Sequence, residues 1–349
     1  MPTGKLPFDD MNHDAILITS FGGPEGPEDV MPFLENVLRG KNVPRERMLQ
    51  VAEHYYHFGG KSPINEQNRR LTAALEDELT GHGLSLPVYW GNRNWHPLLA
   101  DTMLQMKKDG VCRALAFVTS AYSSYSGCRQ YRENIARAQE AAGPDAPVVD
   151  KIRVFHNHPG FVEALTDRVR QALAKLPEEQ RGATQLIYTA HSIPLAMAQG
   201  CRYQEQLQET GRLVAEALRH ENWRLVYQSR SGPASQPWLE PDILDYLREC
   251  KARGNPSAVV IAPIGFVSDH MEILFDLDTQ ARELCEELGL QMVRAETVGT
   301  HPRFIRMIRE LICERLDETQ PRLALGSLPP RPDCCPADCC LLPARPVAG

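Results

Sequence analysis

Short apolar, β-branched runs that alternate with amphipathic helical patterns are the feature that most narrows the folds open to this chain. Residues 15–20, Ala-Ile-Leu-Ile-Thr-Ser, form one such run. A glycine- and proline-rich turn over 21–27 and a helical pattern over 28–38 follow it. Further strands are predicted over 87–90, 113–119 and 151–155, then over 184–190, 223–228, 258–262 and 290–294. Helical patterns at 203–219, 241–253 and 279–288 separate the later ones. Strands joined by helices of that length imply crossover connections and parallel sheets. The expected fold class is α/β, with two similar doubly wound halves, each built on a four-stranded parallel sheet, and a cleft where their strand C-termini face each other. The boundary is expected near Phe161, giving halves 1–160 and 161–316 and an irregular proline- and cysteine-rich tail, 317–349.

The 349 residues are 42% hydrophobic, enough for a sizeable core, and the net charge of −7 argues against nucleic acid as a partner. Eighteen consecutive apolar residues occur nowhere, and residues 1–12 contain no apolar leader core. A cytoplasmic protein without a transmembrane segment is therefore expected. In that compartment ten cysteines read as reduced thiols or metal ligands rather than disulfides.

Polar residues gather where strands end. Residues 263–278 follow the run 258–262 directly and pack Asp269, His270, Glu272, Asp276 and Asp278 into ten positions. In open α/β sheets ligands bind at that end of the strands. If the segment is helical, Glu272 and Asp276 share one face and Ile273, Leu274 and Leu277 the core-facing one. The plain alternative is an acidic helix start, with Asp269 and Glu272 forming a capping box. That leaves His270, Asp276 and Asp278 without a reason. His191 stands just past another strand end, in Thr-Ala-His-Ser-Ile-Pro at 189–194. A histidine satisfied by loop backbone is its plain reading. Convergence with His270 and Glu272 at equivalent ends of neighbouring units favours a site. Gly22 and Gly23 read as a tight strand-to-helix turn, since no Gly-x-Gly-x-x-Gly spacing is present.

These residues resemble the ferrochelatase family. The likeness rests on Ser-Asp-His-Met-Glu-Ile-Leu-Phe-Asp-Leu-Asp at 268–278, Thr-Ala-His-Ser-Ile-Pro at 189–194, Tyr-Gln-Ser-Arg-Ser-Gly-Pro at 227–233 and Phe-Gly-Gly-Pro-Glu at 21–25. Gly-Gly-Lys-Ser-Pro-Ile at 59–64 and Thr-His-Pro-Arg at 300–303 extend it. The resemblance implies a chelatase fold of two Rossmann-like halves around a porphyrin cleft, with Fe(II) as substrate. It implies His191 as acceptor of pyrrole protons, which asks for a neutral imidazole near pH 7. It implies Glu272 as the carboxylate that holds iron with His191, and Asp276 and Asp278 as an acidic path onward. Gln280 stands where many members carry a further glutamate. For the porphyrin it implies Ser62 and Tyr131 as partners of the propionates, with Arg93 beside them, Phe21 against the ring, and Tyr125 within the motif over 122–131. The wording of the Phe-Gly-Gly and Tyr-Ser-Gly-Cys motifs is closest to the Gram-positive branch that uses coproporphyrin, and the porphyrin implied is coproporphyrin III or protoporphyrin IX. A monomer is the expected state. The other classes open are a non-catalytic haem or metal carrier on the same fold and a cobaltochelatase for another tetrapyrrole. A carrier would need no proton acceptor paired with a carboxylate.

Cys112, Cys201, Cys250, Cys285 and Cys313 stand singly in strand or helix patterns and read as small buried hydrophobes. Cys334, Cys335, Cys339 and Cys340 crowd a segment too short for its own core, so an external organiser is expected. Zinc sites usually present two separated pairs, and adjacent cysteines are awkward for one tetrahedral ion. The family resemblance implies a 2Fe-2S cluster on Cys128 and three of those four tail cysteines.

Overall fold

The computed structural model describes residues 13–342 apart from Asn42, Pro233, Ala234, Asn255 and Ser257. The segment 1–12, read above as lacking a leader, and the end of the tail, 343–349, lie outside the described residues. The chain divides into two compact units. One takes the chain through Thr119, with Tyr131–Arg153 and Thr300–Leu323, and the other takes Ser120–Gln130, Val154–Gly299 and the chain from Ala324. The units thus interleave along the chain where the sequence reading placed one boundary near Phe161.

The first unit holds β1 (Ala15–Ser20), β2 (Val88–Asn92), β3 (Arg113–Val118) and β4 (Val148–Lys151), all parallel, in the order β2-β1-β3-β4. All six residues of β1 are buried, as a central parallel strand covered on both faces requires. The strand expected over 151–155 is displaced to β4. An edge strand is only partly covered, and Val148 is 53% exposed, so β4 lacks the look of a core run. Ile152, Val154 and Phe155 owe their apolar character to burial outside any ladder. Helix Pro302–Leu316 follows the last strand of the chain yet belongs to the first unit. The fully buried Arg153 explains this: its guanidinium forks onto Glu314 at 2.8 Å and donates to the Leu323 carbonyl at 2.8 Å.

The second unit repeats the plan with β5 (Gln185–His191), β6 (Trp223–Gln228), β7 (Ala258–Ala262) and β8 (Gln291–Arg294), parallel in the order β6-β5-β7-β8. Between β7 and β8 the chain forms a π-helix, Ile273–Ala281, continued by helix Arg282–Leu288. Ile273, Leu277, Ala281 and Cys285 are buried at every fourth position and join the core beneath the sheet with Val259 and Ile261. The tail from Ala324 onward has no helix or strand among its described residues. It is fastened by Asn157, which donates to the Leu325 and Leu328 carbonyls, and by Glu209, which accepts from the Ser327 backbone N–H at 2.6 Å. Among the described residues no helix is long and apolar enough to cross a membrane.

Candidate active site

In the order β6-β5-β7-β8 the crossovers reverse direction between β5 and β7, and a crevice opens at the carboxyl ends of strands where that happens. His191 is the last residue of β5, and the acidic segment follows β7. The two loops are locked together. Gly265 donates its N–H to the Thr189 carbonyl at 3.0 Å, and a Cβ on Gly265 would fall 2.6 Å from that of Ala190, so only glycine permits the approach. Tyr203 donates its hydroxyl to the His191 carbonyl at 3.1 Å, and Ser192 is tied to the Gln228 carbonyl at 2.8 Å.

The imidazole of His191 is oriented by its Nδ1, which donates to the Ser192 carbonyl, so that Nε2 faces Oε1 of Glu272 at 3.5 Å. The other oxygen of Glu272 lies 3.9 Å from Nδ1 of His270, whose ring packs edge-on against Phe266 at 4.7 Å. Desolvation lowers His191, but the Glu272 carboxylate and the Ser192 carbonyl more than reverse it, and the pKa is raised to about 9. Desolvation raises Glu272, and the two histidines more than reverse that, holding it down at about 2. The pairing favours the protonated imidazole, whereas the family resemblance asks for a ring able to accept a proton near pH 7. His270 is held below the ordinary histidine range by burial.

Asp276 extends the site inward. Its carboxylate accepts from the Ser229 hydroxyl and from Gln228 Nε2 at 3.3 Å. Burial, helped by the nearby Glu272 charge, pushes Asp276 up to about 7 against those two hydrogen bonds. Ser229 holds a left-handed φ of 62°, which few non-glycine residues adopt. Neither Ser229 nor Gln228 was singled out from the sequence, although both lie in the 227–233 motif. Asp278 turns elsewhere, to Arg294 Nε at 2.6 Å, and Gln280 is exposed.

The first unit carries a second group. The Arg93 guanidinium lies over the Phe21 ring at 5.5 Å and the Tyr131 ring at 4.7 Å. Phe21 is 37% exposed, whereas Tyr131 and Ser62 are buried. Gly22 has φ of +81°, and a Cβ there would meet Asn92 at 2.8 Å, which bears out the tight-turn reading. Beneath the turn lies a network the sequence reading missed. Asn68 donates to Ser20 at 2.8 Å, Asn65 to the Gly23 and His96 carbonyls at 3.1 Å, and Asn92 to Asn65 at 3.2 Å. Asn65 and Asn68, one turn apart in line with Leu71, Leu75 and Leu79, were its only signal.

Cys128 lies in a π-turn, Tyr125–Arg129, which also carries the half-buried Tyr125. The Arg129 guanidinium donates to the Ala337 and Cys339 carbonyls, the latter at 3.1 Å, which seats the tail on this turn. Cys128 and Cys340 are each 4% exposed, and the sulfurs of Cys339 and Cys340 are 3.4 Å apart. Burial, with Cys339, Cys128 and Cys201 nearby, pushes the Cys340 thiol up. Among the described residues no group of three or more histidine, cysteine, aspartate or glutamate side chains is gathered closely enough to hold a metal ion. Cys334 is exposed and Cys335 half-buried. Three expectations for the single cysteines fail: Cys112 is exposed, Cys313 is half-buried, and Cys201 lies half-buried beside the tail thiols. Cys250 and Cys285 are buried, as expected.

The family model for ferrochelatase matches residues 13–316. A ferrochelatase of Rhodopirellula baltica is 59% identical over 97% of this chain and 96% of its own. A coproporphyrin III ferrochelatase of Streptomyces coelicolor is 51% identical over 95% of this chain and 94% of its own. Among solved structures, CbiX, the terminal enzyme of siroheme biosynthesis in denitrifying bacteria, superposes with a TM-score of 0.51 at 15% identity, covering 87% of this chain and all of that one. SirB from Bacillus subtilis with Fe3+ gives 0.53 at 12% identity over 86% of this chain and 96% of that one. At such identities these two show the chelatase fold.

Proposed function

Because the chain belongs to the ferrochelatase family, whose enzymes insert Fe(II) into a porphyrin in haem synthesis, we propose that its porphyrin is coproporphyrin III and that His191, Glu272 and Asp276 carry the reaction. The observation that carries this reading is the His191–Glu272 pair at the switch point of the second sheet. Metallation exchanges two pyrrole N–H protons for one Fe(II), so the site must take up two protons and release a dication. Iron approaching Glu272 replaces His191 as the partner of that carboxylate. The like charge then drives the imidazolium to release its proton to solvent, and the neutral Nε2 takes up the two pyrrole protons in turn, passing the first on before it accepts the second. Asp276, poised near neutrality by burial, is suited to pass protons on. The path ends there, because the ion pair with Arg294 occupies Asp278.

Ser62, Tyr131, Phe21, Tyr125 and Arg93 are proposed to contact the porphyrin. Coproporphyrin carries four propionates, and the aromatic-backed Arg93 cation supports an anionic ligand. A 2Fe-2S cluster is proposed on Cys128 and three of Cys334, Cys335, Cys339 and Cys340; when bound it would supply thiolate ligation that staples the tail to its own unit. The cytoplasmic location expected from the sequence belongs to this proposal as well. The carrier and cobaltochelatase readings draw no support from the relatives named above.

Turnover with coproporphyrin III and protoporphyrin IX, measured anaerobically with Fe(II), tests the substrate. Coproporphyrin III should give a kcat/KM higher by on the order of tenfold or more. Equal values, or a preference for protoporphyrin, would remove the assignment.

A further inference from the structure

Arg294, the last residue of β8, spans both flanks of the segment that carries Glu272. Its Nε donates to Asp278 Oδ1 at 2.6 Å, while Nη1 and Nη2 fork onto the Asp269 carboxylate at 3.2 and 3.4 Å. Nη1 also reaches the Ala295 carbonyl at 3.3 Å. Asp269 precedes Glu272 by one turn, and Asp278 lies inside the π-helix beyond it. The guanidinium is only 14% exposed and its two partners 20% and 22%, so this is not a solvated surface pair. A π-helix is rare and frequently found at functional sites. One planar cation from the neighbouring strand ties the loop that precedes this one to a residue in its second half. Arg294 does not itself touch the Glu272 carboxylate, which faces His191 and His270, while the Glu272 carbonyl accepts from Gln228.

We propose that Arg294 is a positioning residue for iron handling, clamping Asp269 and Asp278 so that Glu272 is presented toward His191. This rests on the reading of Glu272 as the carboxylate that holds Fe(II). Lysine keeps the charge but not the fork, and reaches at most one of the two carboxylates.

Steady-state kinetics of the full chain, with Fe(II) and porphyrin varied separately, tests it with Glu272→Gln, Arg294→Gln, Arg294→Lys and Asp278→Asn. A displacement of order 1 Å should lower kcat/KM for Fe(II) about 10- to 100-fold in Arg294→Gln, with the porphyrin KM within about twofold of wild type. Arg294→Lys should recover only part of that loss, and Asp278→Asn should add nothing to Arg294→Gln, since both remove one clamp. Full recovery by lysine, an equal fall in porphyrin affinity, or a loss that disappears when the assay is run well below each variant's Tm would make the pair merely structural. If Glu272→Gln raises the iron requirement while the Arg294 variants behave as wild type, the clamp alone fails. If Glu272→Gln leaves iron kinetics unchanged, the reading of Glu272 fails and the clamp with it.

Discussion

Nε2 of His191 and Oε1 of Glu272 stand 3.5 Å apart, although one closes β5 and the other enters the helix after β7. Each holds the other in its charged form. Glu272 is 46% exposed, so solvent screens the pair, and its contribution to stability falls in the range of about 0–1 kcal/mol found for exposed ion pairs. Its importance is chemical.

His191→Ala is expected to lower kcat by on the order of 10²-fold or more, because no other group replaces the proton acceptor. Porphyrin affinity, read from quenching of porphyrin fluorescence, should stay close to wild type, since a half-buried ring contributes little packing. Near wild-type turnover would end the role assigned to His191.

The pair also sets a pH window for stability. His191 is raised from 6.5 to about 9, so its stabilising share is complete below about pH 6.5 and is lost as the pH rises through about 9. Glu272 is lowered from 4.5 to about 2, so its share is present above about pH 4.5 and is lost as the pH falls through about 2. Thermal melts should therefore show the largest deficit of Glu272→Gln relative to wild type between pH 4.5 and 6.5, shrinking toward zero above pH 9. A deficit that grows with alkaline pH would contradict the assignment.

Asp276 has the opposite sign. Its folded value of about 7 lies above the ordinary 3.8, so the native state binds more protons between those limits and stability falls as the pH climbs through them. Asp276→Asn should raise the Tm above pH 7 while lowering turnover, a trade of activity for stability. Wild-type kcat should rise with pH near 7 as Asp276 ionises, and that rise should flatten in the variant. A variant with lower Tm and an unchanged pH profile would leave Asp276 a structural residue.

Anaerobically purified protein should be brown, with acid-labile sulfide, and Cys128→Ser should bleach it. Serine at Cys339 or Cys340, the tail thiols grouped with Cys128, should do the same. Colourless protein holding stoichiometric zinc and no sulfide would refute the cluster.

Much of this molecule was written locally in the chain. Apolar runs such as Ala258–Ala262 and Ala15–Ser20 appear as strands at the predicted bounds, because burial on both faces leaves a continuous signature that neighbours cannot disguise. His191 and Glu272 could be named because a strand end is readable and polar residues there are conspicuous. The π-helix could not be read: buried positions recur every fourth residue in Ile273, Leu277 and Ala281, which a helix of ordinary pitch nearly matches.

The sequence by itself thus determined seven of the eight strands, the parallel character of their sheets and the residue types gathered at their ends, since strand and helix periods are properties of neighbouring residues. Only the tertiary structure decided which charges meet. Asp278, read as part of an acidic path, answers to Arg294; Cys201, read as an isolated hydrophobe, lies beside the tail thiols; Glu314 claims Arg153 and carries the last helix into the first unit. It also decided that the Glu272 carboxylate raises His191 and that burial raises Asp276. The physical reason is common to all of these: pairing and pKa depend on distances of a few ångströms through a poorly screening interior, and those distances join residues that the linear order holds far apart.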